Sequence, residues 1–381
     1  MSFIIAVWRA SLSAFCPLFH YFLLSLHSVL LSFLSMSQSI IDAVATSHDI
    51  SQEQLSVLLH TDDMMLVQTL FAMARQATQR SYGNKVFMRG LIEISNHCRN
   101  NCLYCGIRRD QSGLQRYRLT KEQILQCCAA GHQLGFRTFV LQGGEDAWFD
   151  DDRLCDIVSD VHAHFPDCAI TLSLGERGRS SFQRLFDAGA ERYLLRHETA
   201  SPMHYAQLHP AEMSFDNRMR CLDDLKAIGY QVGCGFMVGS PYQTDASLWA
   251  DLQFLRRFQP QMVGIGPFIP ASGTPFADRP AGSVDLTLRL LSIIRLILPS
   301  VLLPATTALG TLSPNGREMG IMAGANVVMP NLSPQGFRAQ YSIYDNKLAS
   351  GSEAAECAND IRSRLNGLDR DASPDRGDFR P

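Results

Sequence analysis

The sequence lacks an excess of either charge, with 34 lysines and arginines against 37 aspartates and glutamates. A net charge of -3 over 381 residues gives no electrostatic basis for binding nucleic acid or another polyanion. The spacing typical of secreted disulfides is also lacking, because the 11 cysteines are odd in number and three fall close together. This crowding favours a metal site in a reducing compartment, which we take to be the cytoplasm. With 46% hydrophobic residues, a large core is expected and general disorder is excluded.

The N-terminal region has no Lys, Arg, Asp or Glu between Ser11 and Ser35. A run of about 20 apolar residues is long enough to span a bilayer. However, Arg9 is the only preceding charge, and no A-x-A-like cleavage site follows. Met36 then opens a polar stretch that reads as an ordinary protein start. We therefore interpret residues 1–35 as a hydrophobic extension from an upstream start, with a membrane anchor as the alternative.

Strand-like and helix-like segments alternate through most of the chain. The alternation predicts an α/β protein with a (β/α)8 TIM-type barrel over residues 85–345, and an open doubly wound sheet is the alternative. A helical segment over 36–84 precedes the barrel, and a polar tail over 346–381 follows it and is expected to be mobile. The eight predicted strands are 86–95, 138–144, 169–175, 192–199, 231–239, 262–270, 302–310 and 325–331, and helices are expected to begin near Thr120, Asp151, Ser180, Ser214, Thr244, Val284 and Pro314.

Polar side chains cluster at the carboxyl ends of several predicted strands. A packed core does not accommodate so many polar groups without partners, whereas the chemistry of a (β/α)8 barrel takes place at this end. We therefore predict one shared pocket. The residues concerned are Gln142, Glu145, Ser173, Glu176, Arg196, His197, Glu198, Thr306, Thr307 and Asn331.

Cys98, Cys102 and Cys105 follow the first predicted strand in a C-x3-C-x2-C pattern. These spacings let three thiolates converge on one soft metal centre, in an asparagine-rich loop that is expected to be flexible. A structural zinc site normally needs a fourth ligand, for which His97 and Cys127 are poorly placed. A [4Fe–4S] cluster on three cysteines instead leaves one iron open to a small molecule. Zinc binding and three unrelated buried thiols are the alternatives.

This loop resembles the signature of the radical S-adenosylmethionine (SAM) superfamily, including the aromatic Tyr104 before the last cysteine. In that superfamily the open iron binds the amino and carboxylate groups of SAM, and an electron from the reduced cluster cleaves the sulfonium to a 5′-deoxyadenosyl radical. The strings TLSLGE, RYLLRHETA, PATTALGTL and GANVVMPNLSP resemble the HydE-type maturases of [FeFe]-hydrogenase. The likeness runs from about Glu93 to Tyr341. Biotin synthase and methylornithine synthase are similar in architecture.

The resemblance implies roles for matching residues. It implies one [4Fe–4S] cluster per chain on Cys98, Cys102 and Cys105, because only Cys357 lies beyond Cys234 and a second, C-terminal cluster would lack ligands. Arg218 would be the cation for the SAM carboxylate, which an arginine can bind with two parallel hydrogen bonds. The implied SAM-binding residues are Tyr104, Gly143, Gly144, Glu145, Glu198, Arg218 and Ile269, and the implied substrate-facing residues are Gln142, Ser173, Arg196, Thr306 and Thr307.

Several of these residues also allow a structural interpretation. Arg218 could be a solvated surface arginine, and Arg196 and Glu198 could form a structural ion pair. Thr306 and Thr307 could cap the next helix. His197, on the opposite face of its strand, is expected to be a packing residue.

The function implied by the resemblance is assembly of the di-iron subcluster of [FeFe]-hydrogenase, towards its bridging dithiomethylamine ligand. The implied substrate is a small organometallic iron species bearing CO, cyanide and cysteine, and the implied partners are other hydrogenase maturases and a low-potential electron donor. The residues alone indicate a small polar or anionic ligand. The alternatives are a radical SAM reaction on an amino-acid-like substrate, of the methylornithine synthase or biotin synthase type, and a non-catalytic iron–sulfur or zinc carrier.

Overall fold

Parallel strands and helices alternate along the chain, and a computed structural model describes residues 39–348 and 355–381. The strands are β1 (Lys85–Met88), β2 (Gly90–Ser95), β3 (Thr138–Gly143), β4 (Ala169–Ser173), β5 (Arg192–Leu194), β6 (Gln231–Cys234), β7 (Met237–Val238), β8 (Met262–Val263), β9 (Gly266–Pro267), β10 (Val327–Val328) and β11 (Asp371–Ser373). The helices are residues 39–47, Gln52–His60, Met64–Tyr82, Lys121–Gln133, Asp151–His164, Arg179–Asp187, Pro202–Leu208, Phe215–Ile228, Asp245–Phe258, Val284–Ile297, Thr307–Leu312, Gly316–Met322, Gln335–Arg338 and Ala358–Asn366, with a 3-10 helix at Ala355–Cys357.

Backbone pairing passes through all eight predicted strand regions. A six-stranded parallel sheet has the order β2-β3-β4-β5-β6-β8. Parallel bridges then join β8 to Leu302, and Pro304 to β10. β10 pairs in turn with β1, and Leu91 of β2 bridges Asn331. The sheet is parallel and its strands alternate with helices, and the isolated bridges continue the strand order that a (β/α)8 fold predicts.

Five of the seven predicted helix starts have a side-chain cap in the structure, whereas those near Ser180 and Pro314 have none. Thr120 caps Lys121–Gln133 with a capping box, in which its side chain accepts the N–H of Gln123 and the side chain of Gln123 accepts the N–H of Thr120. Ser214 and Thr244 cap the helices that follow them in the same way, by accepting a backbone N–H three residues on. The helices thereby begin where the sequence places a side-chain acceptor.

The predicted strand over 302–310 is wrong in its second half. Only its first residues pair with neighbouring strands, and Thr307–Leu312 is helical. Apolar runs of this length fit a strand or a short helix equally well, so the pattern alone could not decide. The helix Pro202–Leu208 was not predicted. Its N-cap is Ser201, whose side chain accepts the N–H of His204, and Pro202 is its first residue.

Within residues 355–381, the C-terminal segment contains regular structure that its composition did not predict. Residues 358–366 form a helix, and β11 pairs with β1 in parallel. The last residues then reach the amino-terminal end of the strands, where Asp378 contacts the buried Arg192 at 2.5 Å and the Gly377 carbonyl accepts a hydrogen bond from Arg89. Arg192 of β5 and Arg89, between β1 and β2, are both buried and supply polar partners for this segment.

Helices precede the barrel, as the sequence predicts. His48 hydrogen-bonds to the carbonyl of Leu296, and Arg289 donates to the carbonyl of Leu58, so both contacts join this region to Val284–Ile297. The interpretation of residues 1–35 concerns a part of the chain outside the described residues. Within the described ranges, no helix is long and apolar enough to cross a membrane.

Candidate functional site

The cysteine loop follows β2 and is fixed by polar side chains. Asn96 accepts the N–H of Tyr117 and donates to the carbonyl of Gln340 at 2.8 Å. The Arg116 guanidinium donates to several carbonyls of the loop, including that of Ile107 at 2.8 Å. The expectation of a flexible loop is therefore wrong, because its asparagine and this arginine hold the backbone in place. Nothing in the sequence pattern distinguished Arg116 from a surface arginine.

The three cysteines of the loop are free and partly buried. Burial raises the pKa of each thiol, and charge on the neighbouring cysteines raises the pKa of Cys102 and Cys105 further. The pKa of Cys105 reaches about 12. This mutual influence follows from the proximity of the three sulfur atoms. A bound metal centre would counter the shift, because its positive charge stabilises the thiolates.

Gly143 and Gly144 lie at the end of β3, directly against the cysteine loop. The N–H of Gly144 donates to the carbonyl of Ser95 at 3.2 Å. A Cβ atom on Gly144 would lie 2.7 Å from the Cβ of Cys98, so any larger residue there would displace the loop. The structure therefore brings the predicted glycine motif and the first predicted cluster ligand into contact.

Glu145 fastens the same turn from its other side. Its carbonyl accepts the N–H of Arg99, and its carboxylate accepts the side chain of Arg99 at 3.0 Å and the N–H of Glu176 at 2.9 Å. A polar cavity of about 390 Å³ borders these three residues and Asn217. Because its carboxylate is occupied, Glu145 contributes to the site mainly by fixing the turn.

Arg196 and Glu198 extend beyond β5 and contact each other. Arg196 Nη2 lies 3.0 Å from Glu198 Oε2. Among the described residues, Glu198 Oε2 and the Nε and Nη2 atoms of Arg196 are buried without a hydrogen-bond partner. Glu198 also has a φ of 65°, which is uncommon for a residue other than glycine. The pair is thus an ion pair, as the structural interpretation allowed, but one that leaves buried donors and an acceptor for a ligand.

His197, between these two residues, is fully buried and points away from them. Its Nδ1 accepts the N–H of Gly235 at 3.2 Å, and its Nε2 lies 3.4 Å from Asp251. The ring also contacts Phe254. This confirms the expected packing role of His197.

Arg218 is buried, and its possible surface position is therefore wrong. Its Nε donates to Glu176 and its Nη1 donates to the carbonyl of Arg196, each at 2.5 Å. The guanidinium also lies 5.9 Å from the centre of the Tyr205 ring. Arg218 consequently joins the loop after β4 to the strand end that carries Arg196.

Tyr104 and Ile269 lie on the other side of the cysteine loop. The hydroxyl of Tyr104 is 3.2 Å from Nε2 of His209, and its ring packs against an apolar cluster that contains Met237 and Phe268. Ile269 is the buried residue after Phe268. The structure thus places Tyr104 at this apolar cluster and Ile269 next along the chain from one of its members.

Gln142 and Ser173 occupy adjacent positions in one row of the barrel. Register pairs Glu93 with Gln142 and Gln142 with Ser173, so all three side chains point to the same face of the sheet. Glu93 is fully buried and accepts Lys347 at 2.6 Å. Neither charged residue was predicted from the sequence, because Glu93 lies within an apolar run and Lys347 lies in the segment predicted as tail.

Thr306 precedes the helix Thr307–Leu312 without capping it through its side chain. Its buried Oγ1 has no hydrogen-bond partner among the described residues, and it lies beside Gly266. The capping alternative for Thr306 is therefore wrong, and its hydroxyl is available to a ligand.

Comparison with known proteins identifies the family. The signature of the Radical SAM superfamily matches residues 92–255. The [FeFe] hydrogenase maturase subunit HydE of Thermotoga maritima is 42% identical over 329 residues, which cover 86% of this chain and 94% of that protein. The chain belongs to the HydE family. The resemblance found in the sequence is thereby confirmed.

Other relatives of this HydE-family chain are more distant. The 3-methylornithine synthase of Methanosarcina barkeri is 28% identical over 309 residues, which cover 81% of this chain and 87% of that protein. The crystal structure of methylornithine synthase (PylB) has a TM-score of 0.78 at 26% identity and covers 88% of this chain and 97% of that chain. The crystal structure of HydG has a TM-score of 0.73 at 22% identity, with 88% and 75% covered. These likenesses confirm the radical SAM fold.

The HydE-family site fits the cluster and SAM that the superfamily uses. The three cysteines lie together on a fixed loop, and the side-chain-free Gly144 allows close approach to it. Arg196, Glu198 and Thr306 each keep a buried polar atom without a hydrogen-bond partner in the described part of the chain. Such atoms are costly to bury unless a ligand satisfies them. The donor set matches a carboxylate-bearing and amine-bearing molecule such as SAM or an amino-acid-like substrate.

Proposed function

We propose that the protein is a radical SAM enzyme of [FeFe]-hydrogenase maturation, acting in the cytoplasm on a small organometallic, cysteine-derived substrate towards the dithiomethylamine-bridged subcluster. One observation carries the proposal: the residues that contact one another around the cysteine loop belong to a chain 42% identical to a HydE maturase. The partners would be the other hydrogenase maturases and a low-potential electron donor.

The predicted site residues would have three roles, according to their position: binding the cluster, binding SAM and binding the substrate. Cys98, Cys102 and Cys105 would ligate one [4Fe–4S] cluster per chain, which together with SAM would supply reductive cleavage of the sulfonium. SAM would lie beside the cysteine loop, against the residues that the family resemblance implies for it, namely Tyr104, Gly143, Gly144, Glu145, Glu198, Arg218 and Ile269. The substrate would lie deeper, at Gln142, Ser173, Arg196, Thr306 and Thr307.

This chain's side chains would mainly bind, orient and exclude water. Arg218 fixes the carbonyl of Arg196, and Arg196 contacts Glu198, so the three hold one strand end in position. Glu198 Oε2, which forms an ion pair with Arg196 but no hydrogen bond, would accept an ammonium or hydroxyl donor, and Arg196 Nε and Nη2 would donate to an anionic group. The lumen would exclude solvent from reactive intermediates.

Anaerobic reconstitution tests the proposal. We expect about four irons per chain, a change in the EPR signal of the reduced cluster on addition of SAM, and 5′-deoxyadenosine after reduction with dithionite. Ala in place of any one of Cys98, Cys102 or Cys105 should abolish the cluster and SAM cleavage, with the circular dichroism spectrum retained. As a control, Cys357→Ala should keep the iron content.

The alternative functions give different results in the same experiment. Zinc in place of iron, or an intact cluster without SAM cleavage, would indicate a non-catalytic carrier. SAM cleavage without activation of an [FeFe]-hydrogenase, in a mixture containing the partner maturases, would favour a reaction of the methylornithine synthase type.

A further inference from the structure

A buried carboxylate lies next to the predicted substrate residues. In the row of Glu93, Gln142 and Ser173, Glu93 has no solvent exposure. Its Oε2 accepts the side-chain amide of Asn331 at 2.9 Å, and its Oε1 contacts the Lys347 ammonium at 2.6 Å. Both oxygens of Glu93 are therefore occupied, and the carboxylate serves to hold other groups.

The Lys347 ammonium is brought to this row by the chain segment that follows Gln335–Arg338. The carbonyl of Ile343 accepts the N–H of Gly106, and the N–H of Asp345 donates to the carbonyl of Pro270 at 3.0 Å. These contacts fasten the segment to the cysteine loop and to the loop after β9. The side chain of Lys347 is only 8% exposed, so the ammonium enters the protein rather than solvent.

The Tyr341 ring lies beside this ammonium and joins it to Gln142. Lys347 Nζ lies 5.1 Å from the centre of the Tyr341 ring. The hydroxyl of Tyr341 in turn accepts a hydrogen bond from the Gln142 amide at 3.4 Å. The Lys347 ammonium is thereby connected to a predicted substrate residue through one aromatic ring.

A lysine ammonium has three N–H donors. Glu93 accepts one of them, and no further acceptor for Lys347 is found in residues 39–348 and 355–381. A buried ion pair contributes little net stability compared with apolar residues of similar volume, so stability alone does not explain its presence. Pockets for small ligands typically contain a few convergent polar groups of this kind.

We propose that Lys347 is a substrate-binding residue, whose ammonium, positioned by Glu93, contacts a carboxylate of a small anionic substrate in the barrel. This inference rests on the proposed function and deepens it by naming the group that the substrate presents. Arg196 lies at the end of β5, away from Lys347 at β2, so the two cations contact different parts of the ligand. The substrate class is a small molecule with an amino-acid carboxylate.

The test compares Lys347→Met with Lys347→Arg, which keeps the charge, in cluster-reconstituted protein kept without oxygen. Lys121→Met is the control, because Lys121 forms ion pairs with Asp156 and Asp160 outside the site. The first measurement is the shift in melting temperature caused by S-methyl-L-cysteine and by its methyl ester, which lacks the carboxylate. The second is hydrogenase activation.

We expect the amino acid, but not its ester, to stabilise the wild type and the Lys121→Met control. Lys347→Met should bind it roughly tenfold to a hundredfold more weakly, the range expected for loss of one charged hydrogen bond. Lys347→Arg should recover most of the affinity. Hydrogenase activation should fall with the affinity in Lys347→Met and should be retained in the Lys121→Met control.

Lys347→Met removes the partner of the buried Glu93 carboxylate, and an unpaired buried charge destabilises the fold. A loss of binding in this variant must therefore be separated from unfolding. The double variant Glu93→Gln with Lys347→Met removes both charges and should fold, yet it should show the same loss of binding. Equal shifts for amino acid and ester, no shift in the wild type, or normal binding in the double variant would overturn the assignment. Since this binding measurement requires no turnover, it decides the role of Lys347 even if SAM cleavage fails and the proposed function is wrong.

Discussion

The backbone of Gly144 lies against the carbonyl oxygen of His97, the residue before the first cluster cysteine. A Cβ atom built on Gly144 would lie 2.2 Å from that oxygen, and real Cβ atoms essentially never approach closer than 3.0 Å. The glycine at the end of β3 and the cysteine loop after β2 therefore depend on each other's position. This contact explains in steric terms why the site has a glycine there.

Gly144→Ala should displace the cysteine loop, because the obstructing atom belongs to the backbone of His97 and cannot rotate away. We expect SAM cleavage to fall at least tenfold, a change of about 1.4 kcal/mol or more in the barrier, together with lower iron content. The control is Gly113→Ala, since a Cβ on Gly113 meets nothing within 4 Å. Normal iron content and cleavage in Gly144→Ala would contradict this steric explanation.

Arg218→Lys should weaken SAM binding while the cluster remains. The guanidinium donates to Glu176 and to the Arg196 carbonyl at once, and a lysine has a single nitrogen for both. We expect the dissociation constant for SAM to rise about tenfold or more, as measured by titration of the EPR signal. The exposed neighbour Arg220→Lys should leave it unchanged. An unaltered affinity in Arg218→Lys would remove this residue from the SAM site.

Asp378→Asn tests whether the C-terminal segment stabilises the barrel. Asp378 is half-exposed, but its partner Arg192 is buried and would lose its charged acceptor. We expect the free energy of unfolding to fall by about 1–2 kcal/mol, measured by denaturant titration. Asp375→Asn breaks the exposed pair with Lys85 and should cost less than about 1 kcal/mol. Equal effects of the two substitutions would mean that the Arg192 contact has no special role.

Stability should decrease as the pH falls below 6.5, partly because of His209. Burial, reinforced by the Arg218 charge, lowers the pKa of His209 from 6.5 to about 3. Between these values the unfolded chain takes up a proton that the folded protein does not, so the free energy of unfolding falls by at most about 1.4 kcal/mol per pH unit. His209→Gln should flatten this dependence between pH 6.5 and 5, and His164→Gln is the exposed control. An unchanged slope in His209→Gln would contradict the assignment.

Sequence periodicity was sufficient for the alternation of strands and helices because it reflects local burial and capping. Thr120 and Ser214 start their helices where a side-chain acceptor is available. It was insufficient for residues 302–310, since Pro304 pairs as strand while Thr307 begins a helix. Residues 302–310 remain a strand only as far as β8 and β10 are there to pair with them, and local composition does not encode where those strands end.

The sequence by itself determined the cysteine loop, the family and the residues that surround the loop, because these are carried by residue types at fixed short spacings. Only the tertiary structure decided that Arg218 is buried, that Glu93 and Lys347 meet in the barrel, and that Asp378 reaches Arg192. Each of these contacts joins residues separated by many positions, and its energy depends on desolvation and distance in the folded chain. Spacing along the sequence contains neither quantity.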